Sequence, residues 1–116
     1  MMTLEELRKR RDIVREIDWD MTPEEAVVRY LEWGNNWSRG RSMVRSRNDV
    51  AYYFVVNTWD EPARIYLVER NSDAARELAA VDMPEALRDS FRKKAPIRKG
   101  VYAIDREIRE WLEKKL

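Results

Sequence analysis

The chain has 116 residues, 44% apolar and 39% charged, with no Cys and no His. That length suits one domain and that apolar fraction suits a folded core. Without Cys or His, disulfides, thiolate nucleophiles, thiolate metal ligands and the commonest general base are all excluded. Lys and Arg number 23 against 22 Asp and Glu, and this near balance argues against a general nucleic-acid coat protein. The opening MMTLEELRKRRD has no apolar core of the kind a secretory leader carries. The longest apolar run, Val50 to Val56, is too short to cross a bilayer, so a cytoplasmic protein with no membrane partner is expected.

Thr3-Leu4-Glu5-Glu6 fits a capping box and predicts a helix to about Ile17, with Leu4, Leu7, Ile13, Val14 and Ile17 inward. Thr22-Pro23-Glu24-Glu25 predicts a second helix: a Thr cap, Pro at the first helical position, and two acids at the positive end of the dipole. That helix ends at Gly34 or, on the preferred reading, at Gly40. Residues 50–59 are β-branched and aromatic and predict a strand. Asp60-Glu61-Pro62 supplies a turn and residues 63–69 the returning strand. Alternation puts Tyr52, Phe54 and Val56 on one face and Tyr53, Val55 and Trp59 on the other, so both faces need cover, from helices or from a second subunit. Ser72 is expected to cap a short helix through about Ala80, carrying Ala74, Ala75, Leu78 and Ala79. Asp82-Met83-Pro84-Glu85 starts another, ending before Pro96. Residues 100–104 read as a short strand, and Asp105 as the cap of a last helix with Ile108, Trp111, Leu112 and Leu116 on one stripe.

The expected fold is therefore α+β, one domain over residues 1–116. A small antiparallel sheet, the hairpin 50–59/63–69 plus short strands near 43–45 and 101–104, packs against four to five helices. The segments MTPEEAVVRYLEWGNNW, VAYYFVVNTWDEPARIYLVERNS and KGVYAID together resemble a small family of proteins from anaerobic, mostly sulfate-reducing bacteria. That resemblance implies a free-standing bacterial protein and brings no activity, cofactor or binding residue with it.

For function, the segment from Trp33 to Asn48 stands out, with four Arg and no acid in a chain that otherwise alternates sign. Arg39, Arg41, Arg45 and Arg47 alternate with Ser and Gly. Guanidinium forks, hydroxyls and backbone N–H groups can together grip phosphate or carboxylate oxygens. Asn36 and Trp37 complete this candidate anion-binding segment, Trp37 as a stacking surface. The competing reading is a surface loop whose Arg residues pair with nearby acids. A second basic patch, Arg88, Arg92, Lys93, Lys94, Arg98 and Lys99, lies partly at a helix C-terminus, where the dipole favours cations. The five Trp suit core or subunit packing. Asp18 and Asp20 lack the spacing of a calcium loop, and Glu24 and Glu25 are explained by helix capping. With three Gly and no Walker, dinucleotide, nucleophile-elbow or zinc pattern, no catalytic residue, metal or cofactor is assigned. The sequence points to a non-enzymatic binding or adaptor protein for an anionic partner: a nucleotide, an acidic protein or, less strongly, a nucleic acid. The alternatives are a homodimer formed through aromatic surface and a carboxylate or Mg-dependent enzyme.

Overall fold

The computed structural model describes residues 1–20, 50–70, 75–95 and 98–116. The helix expected from Thr22, the edge strand near 43–45 and the whole segment 36–47 lie outside the described residues. Within them the chain runs α1 (Leu4–Lys9), α2 (Arg11–Val14), β1 (Ala51–Asn57), β2 (Arg64–Arg70), β3 (Ala75–Asp82), α3 (Glu85–Lys94), β4 (Val101–Ala103) and α4 (Arg106–Lys115). The strands form one antiparallel sheet in the order β3-β2-β1-β4. The α+β expectation is correct, as is the hairpin at its centre, with Phe54 opposite Leu67 and Val56 opposite Ile65. The connection is longer than expected, however. Trp59 has left the ladder and lies in the turn, two-thirds exposed, rather than on a strand face.

Alternation along the hairpin divides its side chains as predicted. Phe54, Val56, Ile65 and Leu67 join Leu7, Ile13, Val14, Ile17, Phe91, Ile108 and Leu112 in the main core between sheet and helices. Tyr53, Val55, Tyr66 and Val68 point the other way, into a second buried cluster whose described members all come from the strands. Tyr53 and Val55 are fully buried there.

Two helical expectations need correction. The first helix is broken at Arg10, whose backbone leaves the helical region at φ −89°, ψ 74°. On a straight helix Leu7 and Ile13 would lie about 120° apart. The break turns the second piece so that Leu7, Ile13, Val14 and Ile17 all reach the core. The second correction is β3. Residues 75–80 are a strand, not the helix expected from Ser72, which itself lies outside the described residues. Leu67 pairs with Ala79 but Val68 pairs with Glu77, so Leu78 is an extra residue, a bulge. The bulge sends Ala75 to one face of the sheet and Ala79 and Val81 to the other. Apolar residues at 75, 78 and 79 thereby copy helical spacing in a strand.

The first seventeen residues cross the sheet as a strap. At the outer edge of β3, Met2 N–H donates to the Leu78 carbonyl at 2.8 Å and Ala80 N–H to the Met2 carbonyl at 3.1 Å. At the far end Ile17 bridges Tyr52 of β1, and Asp18 N–H donates to the Tyr52 carbonyl at 2.7 Å. Both contacts satisfy strand edges that would otherwise invite pairing with another chain.

α3 and α4 form where predicted. Met83 and Phe91 are buried and α3 ends with Ala95 at its C-cap, before Pro96. Asp105 caps α4, its Oδ1 accepting from Ile108 N–H at 2.8 Å. Asp105→Ala is expected to destabilise the protein by about 1 kcal/mol, read as a lower urea midpoint at unchanged slope. Lys94 keeps its other partner, Glu107, at 2.8 Å in that variant, so the loss reports chiefly the cap. No helix among the described residues is long and apolar enough to cross a membrane.

Candidate functional site

Three pieces of chain enclose a cleft of about 690 Å³. One wall is α3, which contributes Arg88, Phe91, Arg92 and Ala95. Their spacing of three, four and seven residues places them on one helical stripe, with Phe91 and Ala95 as apolar floor and the two Arg as rim. The opposite wall is the hairpin turn, with Asp60, Glu61, Pro62 and Ala63. The Glu61–Pro62 peptide bond is cis. The third side is the approach to β4, which supplies Arg98 and Lys99.

Thr58 fastens that third side to the turn. Its hydroxyl donates to the Gly100 carbonyl at 2.9 Å and accepts from Gly100 N–H at 2.7 Å, while its own N–H donates to the same carbonyl at 2.9 Å. Asn57 accepts from Trp59 N–H at 2.9 Å and so shapes the turn from within. Arg98 and Lys99 are thus presented from backbone tied at one point to the turn.

The charges around the cleft are unevenly satisfied. Lys99 pairs with Glu61 across the rim, and its ammonium holds the Glu61 carboxyl below the ordinary carboxylate range. Arg92 pairs with Asp89 at 3.0 Å on its own helix. Asp60 accepts a hydrogen bond from the Tyr66 hydroxyl. Burial, together with that carboxylate, pushes the Tyr66 hydroxyl up to about 12, so it stays a donor at neutral pH. Among the described residues, the side chains of Arg88 and Arg98 make no ion pair or hydrogen bond. Arg88 is half-buried and Arg98 exposed.

The structure thus gathers part of the second basic patch and splits the rest. Arg88, Arg92, Arg98 and Lys99 meet at the cleft. Lys94 turns to α4, bonding Glu107 and Asp105, where the neighbouring acids raise its proton affinity. Of the sequence-derived site, Asn36, Trp37, Arg39, Arg41, Arg45 and Arg47 lie outside the described residues. In the sequence Asp60 and Glu61 carry only a turn signal. The available signal was the stripe 88, 91, 92, 95, which interleaves cations with apolar residues instead of opposing them.

Elsewhere the candidate groups have structural partners. Asp20 pairs with Arg109 at 2.9 Å and its N–H donates to Asp18 at 3.0 Å. No group of three or more acids among the described residues is placed to hold a metal ion. Trp19 packs against Phe54 with ring centroids 5.4 Å apart, and Trp111 lies against the main core. Trp59 is the large aromatic left exposed among the described residues, between Thr58 and Asp60 of the cleft. Comparisons with protein-family models, with curated proteins and with solved structures find no match to this chain.

Proposed function

We propose that the protein is a non-enzymatic binding protein for an anionic partner, and that the cleft between α3 and the hairpin turn receives it. The observation that carries this reading is the pair Arg88 and Arg98. Two guanidiniums without partners among the described residues face a cleft whose floor is apolar, and such forks bind carboxylate and phosphate oxygens strongly when water is partly excluded. A volume near 690 Å³ lies within the range of small-molecule sites. The segment 36–47 is a separate contact in the same proposal, with Asn36, Trp37, Arg39, Arg41, Arg45 and Arg47 as its residues. The resemblance to a bacterial family assigns no activity and does not alter this reading.

The test is thermal melting against a panel of anions: carboxylates, phosphates and a sulfated polysaccharide. A ligand at ten times its Kd is expected to stabilise the fold by about 1.4 kcal/mol, raising the melting midpoint by roughly 5 °C. R88A/R98A should abolish the shift if the cleft binds, and R39A/R41A if segment 36–47 does. Failure of every anion to shift the midpoint would overturn the proposal.

A further inference from the structure

We infer that the cleft selects a small amphiphilic monoanion, an aromatic or aliphatic body carrying one carboxylate-type group, in preference to phosphate chains and polyanions. This rests on the reading of the cleft as an anion site and narrows it by counting charge. Lys99 is matched by Glu61 and Arg92 by Asp89, so neither pair has a whole charge to offer a ligand. Arg88 and Arg98 remain, opposed by Asp60, which the Tyr66 hydroxyl bonds without neutralising. Among the described residues one positive charge is left over, and one negative charge balances it.

A triphosphate or a nucleic-acid backbone brings several negative charges to a cleft with one positive charge to spare, towards a wall that holds the Asp60 carboxylate and the Lys99-paired Glu61. Like charges a few Å apart in a partly desolvated site repel one another strongly. A phosphate-chain site would replace those two acids with donors. The remaining surface is apolar: Phe91 and Ala95 on the helix, Pro62 and Ala63 opposite. Such a floor gains by covering hydrocarbon and gives nothing to a phosphate. The acids on the turn wall thus set the upper limit of ligand charge, and the apolar floor sets the need for a body.

Calorimetric titration with three probes tests this: naphthoate, neutral naphthylmethanol and tripolyphosphate. Naphthoate should bind saturably at one site, and naphthylmethanol and tripolyphosphate each about tenfold more weakly. R88A and R98A should each weaken naphthoate by about tenfold, at an unchanged melting midpoint, because neither side chain makes an ion pair or hydrogen bond among the described residues. E61Q/D60N should improve tripolyphosphate relative to naphthoate. Tripolyphosphate binding more tightly than naphthoate, through the same two Arg, would overturn the monoanion inference and leave the anion-site reading standing. Naphthoate binding indifferent to both Arg substitutions, or no binding by any probe, would overturn both.

Discussion

Leu67→Ala is expected to destabilise the protein by about 2–5 kcal/mol, a large share of the roughly 5–15 kcal/mol that holds a domain of this kind together. Leu67 is fully buried at the middle of β2, between Phe54 of β1 and Ala79 of β3, with the helices above it. Truncation removes apolar contact, and the sheet beneath cannot close the gap, because β2 has a strand on either side. For a chain of this length each 1 kcal/mol moves the melting midpoint by about 4 °C. The variant should therefore melt roughly 8–20 °C lower. Leu67→Met, which nearly conserves volume, should cost less than about 1.5 kcal/mol. Similar losses in the two variants would show that the site relaxes freely and that the core is not close-packed there.

The second large effect is alkaline. A tyrosine in the unfolded chain titrates near 10, whereas the Tyr66 hydroxyl in the folded protein is held up to about 12 by burial and by the Asp60 carboxylate. The folded state prefers the protonated form, so the resulting stability is complete below pH 10. It falls as pH rises from 10 towards 12 and is gone above. The size is on the order of 2–3 kcal/mol. Tyr52, bonded to Glu69 at 3.1 Å, shifts in the same direction. The difference in stability between wild type and Tyr66→Phe, followed by urea unfolding from pH 8 to pH 12, therefore isolates Tyr66. Tyr66→Phe should cost about 1–3 kcal/mol at pH 8 and show a flatter decline above pH 10. Parallel curves for the two proteins would mean that Tyr66 is not held protonated by the fold.

Strong local chemistry made much of this architecture legible in the residues themselves. The run AYYFVVN has no good helical alternative, Asp105 and Thr3 are capping residues in capping places, and Pro96 bounds α3. What escaped was decided between distant parts of the chain. Ala, Arg, Glu and Leu in β3 are good helix formers, and the bulge at Leu78 gives them a helical-looking period. Pairing with β2 overrides both. The break at Arg10 likewise answers a tertiary demand, the need to turn Ile13 and Val14 onto the same sheet face as Leu7. The cleft was half visible. Its cations were recognisable as a patch, but what they enclose depends on the hairpin turn folding back across α3, and no local spacing encodes that.

The strap across the sheet has a consequence for how the chain acquires its structure. Residues 2–17 precede the four described strands, yet their backbone partners in the sheet are Tyr52 and Leu78 to Ala80. During vectorial synthesis the stripe of Leu7, Ile13, Val14 and Ile17 leaves the ribosome long before there is a surface to receive it. Docking at β3 must await the emergence of residue 80. Such long-range closure slows folding and leaves an adhesive amphipathic segment uncovered until those strands form. The strap can therefore dock only after the strands that receive it have emerged.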